Sequence, residues 1–119
     1  MLHGGVSRRP IFIPSVGNFK QGMLVQLPLH LDALPSKPSL ADLNAIYVKH
    51  YAGSEWVTVQ SASSDGKLDA TALNDTNSLE IHVFGNDEHK QAVLIARLDN
   101  LGKGASGAAV QNLMLMLGI

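Results

Sequence analysis

The chain reads as an α+β domain with a largely antiparallel sheet and helices packed on one face. Three observations predict this. A run from Gly22 to Leu31 alternates apolar and polar positions with a period of two. A capped amphipathic helix follows a proline break at 35–38. Two adjacent strands, at 78–84 and 91–98, lead into a C-terminal helix that is apolar almost all round. The expected order is β-β-α-β-β-β-α.

Residues 1–9 carry Gly4, Gly5, Arg8 and Arg9 and read as a loose lead-in to a domain spanning 10–119. Ile11 to Ile13, between two prolines, is a short strand candidate. Ser15-Val16-Gly17-Asn18 carries a turn signal. In the next run Met23, Val25, Leu27, Leu29 and Leu31 share one face, the pattern of a half-buried strand. Pro28 has no N–H, which places it on a sheet edge or a bulge.

Ser39 is positioned as an N-cap, with Asp42 three residues on to complete a capping box. Leu40, Leu43, Ile46, Tyr47 and Tyr51 follow at helical spacing, and Gly53 stands where a left-handed residue ends a helix. Glu55 to Gln60 is β-branched and aromatic, so a strand. Residues 61–68 read as loop and 69–75 as one helical turn. Apolar side chains on both faces of Gln91 to Leu98 predict a central, covered strand. The last helix, from about Gly104 to Leu117, has almost no polar face, which predicts burial. A terminal helix in so small a domain is hard to bury on all sides, so a cover from outside these residues is expected.

Composition narrows the function classes. Lys and Arg total 9 against 10 for Asp and Glu, a net charge of −1. Nucleic-acid and anionic-membrane binding need a basic surplus or patch, so neither is expected. Charged residues are 16%, below the roughly 25% of an average soluble domain. That deficit points to surface covered by another subunit or domain. There is no cysteine, hence no disulfide, thiolate metal site or cysteine nucleophile. No apolar stretch reaches transmembrane length and no signal-peptide pattern opens the chain, so a cytoplasmic protein is expected.

Gly102, Gly104 and Gly107 spell G-x-G-x-x-G between a strand and a helix. Such glycines let a phosphate approach the backbone at a helix N-terminus. A self-contained dinucleotide site needs a further strand ending in an acidic residue about 20 positions on, and the given residues stop at Ile119. Two readings stay open: close helix–strand packing through small residues, or contact with a cofactor held mainly by another domain. The five histidines show no metal-ligand spacing, and surface or partly buried positions are expected for them. His30 and His82 lie on separate strands and could meet. Asn74-Asp75-Thr76 is a glycosylation sequon, inert in a cytoplasmic chain. Asp65, Asp69, Asp75 and Glu80 read as solvated loop carboxylates. No catalytic constellation and no metal site emerge from the residues themselves.

The segment from Leu98 through Asp99-Asn100-Leu101-Gly102-Lys103-Gly104-Ala105 to Gln111-Asn112-Leu113, with its leucine-glycine tail, resembles the C-terminal signature of N-acetyl-γ-glutamyl-phosphate reductases. Val16-Gly17-Asn18-Phe19, Gln21-Gly22-Met23-Leu24-Val25 and Pro28-Leu29-His30-Leu31 resemble a strand region of the same family, in its shorter bacterial branch. The resemblance runs from about Pro10 to the end. Part of the C-terminal signature is shared with aspartate-semialdehyde dehydrogenases.

The resemblance implies the C-terminal domain of a glyceraldehyde-3-phosphate dehydrogenase-like enzyme, here as a partial substrate and dimerisation domain. The family reduces an acyl phosphate to a semialdehyde with NADP chemistry in arginine biosynthesis, through a cysteine thioester. It implies cofactor contacts at Asn100, Gly102, Gly104, Gly107 and Gln111. It further implies a homo-oligomer formed through the sheet and a Rossmann domain against which the last helix packs. Without cysteine the 119 residues are expected to be inactive alone and to bind no cofactor alone. His3 does not match the surroundings of the family's catalytic base, so no catalytic residue is assigned. The rival expectations are a stand-alone dimerisation module and the equivalent domain of an aspartate-semialdehyde dehydrogenase.

Overall fold

The computed structural model describes residues 8–61 and 65–119. Four strands form one mixed sheet in the order β1-β4-β3-β2, where β1 is Met23–His30, β2 Val57–Gln60, β3 Leu79–Asn86 and β4 Gln91–Leu98. β4 lies in the middle, paired antiparallel to β1 (Met23 opposite Leu98) and to β3 (Leu79 opposite Leu98). The alternation in β1 therefore places Met23, Val25, Leu27 and Leu29 on one side of the sheet. Pro28 sits on an edge strand, where its missing N–H interrupts no ladder.

α1, Leu40–His50, begins as its sequence dictates. Ser39 Oγ accepts from Asp42 N at 3.1 Å, and Asp42 Oδ2 accepts from Ser39 N at 2.9 Å. These bonds satisfy two backbone donors that a helix start otherwise leaves open. Beyond the helix, Gly53 takes φ +80. Leu43 is buried, with Leu40 and Tyr47 half-buried beside it. They cover Leu31, Val83 and Ala92, the centre of the core. Ile46, expected on the same face, instead stands exposed on the helix flank.

Several expectations are corrected. Ile11 to Ile13 forms no strand and is exposed throughout. Three residues between two prolines have few N–H groups to offer, and no neighbouring strand pairs with them among the described residues. β2 runs parallel to β3 (Val57 opposite Leu79), because the chain between them crosses back before β3 begins. Residues 69–75 make successive tight turns. The last helix starts later than expected. Gly104 N bonds Asp99 O at 2.8 Å and Ser106 N bonds Leu101 O at 3.5 Å, five residues back in each case. This wide π-type turn spans Gly102–Ser106, and α2 proper is Gly107–Leu117.

The expected burial of α2 is not found among the described residues. The helix leaves the sheet after the wide turn, no residue in it is buried, and Met116 is 84% exposed. Among the described residues only α1 packs on the sheet as a layer. The accessible surface is 8,908 Å², against about 6,200 Å² for a monomeric globular protein of this mass. Among the described residues, Val25 and Leu27 of β1 and Val110, Leu113, Leu115, Met116 and Leu117 of α2 are left exposed.

Candidate functional site

The polar centre of the molecule is a junction of three chain segments, 21–22, 74–77 and 99–107. Asp99 holds it. This carboxylate is 1% exposed, directly after β4, where the strand ends and the wide turn begins. Its Oδ1 accepts from Leu101 N at 2.8 Å. Its Oδ2 accepts from Asp75 N at 2.7 Å and from Gln21 Nε2 at 3.1 Å. Gln21 Nε2 also donates to Asp75 Oδ1 at 2.8 Å, and Asn74 Nδ2 donates to Gln21 O at 3.1 Å. Gly22 must be glycine. Its φ is +112, and a Cβ there would overlap the carbonyl of Ala70.

The N–H of Leu101 holds the Asp99 carboxyl below its ordinary range, helped by the N–H groups of Asp75 and Gly102 and by Gln21, while burial opposes them. A carboxylate with a depressed native pKa adds stability above its unfolded pKa of about 3.9. That stability is lost as pH falls through the native value. Asp99→Asn should therefore melt below the parent chain at pH 7, and the gap should narrow as melts are repeated down to pH 3. A gap that stays constant with pH would show that the carboxylate charge is not what these donors recognise.

The five positions expected to face a cofactor fall into separate places. Asn100 Oδ1 accepts from Gly22 N at 2.8 Å, and Asn100 borders a cleft of about 550 Å³ beside residues 15–26. Gly102 and Gly107 border a second cleft of about 420 Å³ with Gln21, Asp75, Asn77 and Asp99. Gly104 is an exposed member of the wide turn. Gln111, on α2, accepts from Lys103 Nζ, and that ammonium lies 5.9 Å from the centre of the Trp56 ring.

The glycine turn packs closely on this chain's own residues. A Cβ on Gly102 would come within 2.8 Å of Thr76 O, and one on Gly107 would overlap the Asn77 carboxamide. The N–H groups of Gly104 and Ser106 already bond within the turn. The glycines admit the backbone at Thr76 and the side chain of Asn77.

A second polar cluster lies on the sheet face opposite α1. Arg97 donates through Nε at 2.8 Å, and through its Nη2, to Glu80 Oε2, and through Nη1 to Asp69 O at 3.2 Å. His82 Nε2 is 3.4 Å from the same carboxylate oxygen. The sequence reading of Glu80 as a solvated loop acid is therefore corrected, since it sits on β3 opposite Arg97. His82 is only 4% exposed, more buried than expected. It does not meet His30, which lies across β4 at the far end of the sheet. Among the described residues no cluster of His, Asp or Glu could hold a metal, and no helix is long and apolar enough to cross a membrane. Gln21, Asp75 and Asp99 escaped notice as a group in the sequence; the one local sign was an acid placed directly after a strand and before a glycine-rich turn.

Comparisons with known proteins agree with this framework. The family model "Semialdehyde dehydrogenase, dimerisation domain" matches residues 2–100. N-acetyl-gamma-glutamyl-phosphate reductase 2 of Nostoc sp. is 53% identical over 123 residues, covering 98% of this chain and 38% of the relative. The N-acetyl-gamma-glutamyl-phosphate reductase of Brucella ovis is 53% identical over 120 residues, covering 98% of this chain and 39% of its own length. The same figures hold for that of Brucella abortus. The chain thus spans well under half the length of these relatives. The resemblance in the sequence holds, and the chain belongs to the semialdehyde dehydrogenase dimerisation-domain family.

Proposed function

We propose that these residues form the C-terminal portion of an NADP-dependent N-acetyl-γ-glutamyl-phosphate reductase of arginine biosynthesis. The observation that carries this is 53% identity across 98% of the chain to reductases more than twice its length. In this reading 1–9 is a lead-in. Residues 10–119 are a partial substrate and dimerisation domain, with α2 laid against a Rossmann domain. The protein is a cytoplasmic homo-oligomer joined through the sheet, acts on an acyl phosphate, and binds neither nucleic acid nor membrane.

NADP, when bound, supplies the hydride; its holding falls to the other domain. The part we assign to this chain is positional. Asn100, Gly102, Gly104, Gly107 and Gln111 shape the surface that approaches the cofactor, and the Asp99 junction keeps that surface in place. The chain holds no cysteine, so it cannot form a thioester by itself.

The test is a chimera in which this chain replaces the matching segment of the Nostoc relative. It should reduce N-acetyl-γ-glutamyl phosphate with NADPH, while the purified 119-residue chain should not. A soluble, folded chimera without turnover would remove the proposal, as would turnover by the chain alone. A preference of the chimera for aspartyl phosphate would move the assignment to the aspartate-semialdehyde branch. The dimerisation-domain match favours one other reading, a stand-alone dimerisation module. That reading requires a monodisperse dimer of the isolated chain in light scattering. Uncovered apolar faces predict association into larger species instead.

A further inference from the structure

We infer that Gln21 is a positioning residue, whose carboxamide sets where the turn carrying Asn100 and the three glycines stands against the cofactor. What that turn approaches rests on the reductase reading. How Gln21 holds it rests on the geometry of this chain.

Residues 21 and 22 grip both of the other segments of the junction. Gln21 Nε2 donates to Asp75 Oδ1 at 2.8 Å and to Asp99 Oδ2 at 3.1 Å. Asp75 N closes the triangle on the same Asp99 oxygen at 2.7 Å. One residue on, Gly22 N donates to Asn100 Oδ1 at 2.8 Å. Two carboxylates thus share the one amide group of a half-buried glutamine. Ionised carboxylates this close disfavour each other unless a donor lies between them. Bonds donated to a charged acceptor are also stronger than neutral ones. A carboxamide donates without titrating, so it bridges the two acids while both stay ionised. Asp75 takes φ +62, a conformation costly for a residue with a side chain, and its bonds to Gln21 and Asp99 hold it there. From Asp99 the chain runs directly into the turn. Leu101 N bonds Asp99 Oδ1 at 2.8 Å, and Gly104 N bonds Asp99 O at 2.8 Å. A displacement of Asp99 is therefore passed on to the glycines.

The experiment uses the chimera with the Nostoc relative. It reads Kd for NADPH by nicotinamide fluorescence, and KM for N-acetyl-γ-glutamyl phosphate by turnover, well below the melting temperature. Gln21→Met keeps the length of the side chain and removes its donors. It should raise Kd for NADPH about fivefold or more, since a small misplacement of a positioning group is costly, and change KM for the acyl phosphate by less than about twofold. Gln21→Glu should match Gln21→Met near pH 9, where three carboxylates meet. It should approach the parent toward pH 6, where a proton shared among them restores a donor. Gln21→Lys, whose ammonium donates to both acids, should keep Kd within about twofold of the parent. A merely structural role would lower the folded fraction, and with it the apparent kcat, and leave Kd unchanged; that result overturns the inference. So does a Gln21→Glu effect that is the same at every pH, or a Gln21→Lys chimera that loses NADPH or fails to fold. A parent chimera that binds NADPH without turnover, and loosens it in Gln21→Met, removes the reductase reading and leaves the role of Gln21. An active parent with unaltered variants does the reverse, and a folded parent that binds no NADPH overturns both.

Discussion

Leu31→Ala should lower the unfolding free energy of the chain by about 3 kcal/mol, in the middle of the range for buried leucines. Leu31 is 1% exposed and packs against Leu43, Val83 and Ala92. It follows β1 directly, and its N–H bonds Lys90 O at 2.8 Å, so the side chain is fixed from the backbone outward. Truncation removes the transfer energy of the lost carbons and leaves a cavity that α1 cannot easily close, because its capping box and the bond from Leu40 N to Asp87 Oδ1 at 3.0 Å hold its start in place. Few apolar residues are buried among the described residues, so one such loss is a large share of the total. Urea denaturation at fixed protein concentration reads the effect. Leu117→Ala, on the exposed face of α2, should change stability by no more than about 0.5 kcal/mol in the same assay. Similar losses for the two variants would place the core elsewhere.

Arg97→Met should cost about 2 kcal/mol, and Glu80→Gln added to it should return part of that. Both side chains are 15% exposed, so the pair is largely, though not fully, withdrawn from water. Breaking a fully buried pair costs about 3–5 kcal/mol because the remaining charge is stranded, and the residual exposure here reduces that figure. Met keeps much of the length of the Arg stem along the sheet while removing the three donated bonds to Glu80 and Asp69. The stranded Glu80 then has His82 Nε2 at 3.4 Å as its nearest ionisable neighbour. Neutralising Glu80 relieves the stranded charge, so the double variant should be more stable than Arg97→Met alone. Strictly additive losses in a double-mutant cycle would show that the two residues do not act as a pair.

Some elements were legible because their causes lie within a few residues. The strand from Met23 to Leu29, the Ser39–Asp42 capping box and the left-handed Gly53 each depend on neighbours in sequence, and each forms, but Val25 and Leu27, read as part of a half-buried face, are exposed. β4 coincides with the run from Gln91 to Leu98. The short segment Ile11 to Ile13 failed because strand propensity does not make a strand without a partner. The candidate site was half legible. The resemblance drew attention to Asn100 and the glycine turn, but the residues that hold the turn come from segments far apart.

Local periodicity, local capping and shared motifs made the α+β class, the capped helix, the central strand and the family readable from the amino-acid sequence. The nearly all-apolar α2 pointed to a cover from outside these residues. The parallel pairing of β2 with β3, the pairing of Arg97 with Glu80 across strands and the closing of the glycine turn on residues 76 and 77 arise in the folded chain. It alone brought Gln21 to Asp99, 78 residues apart, and to Asp75, 54 residues apart. Such contacts leave no periodic trace, because each depends on where the rest of the chain has already folded. A buried carboxylate is tolerated only where several distant N–H groups converge on it, and that convergence exists only in three dimensions.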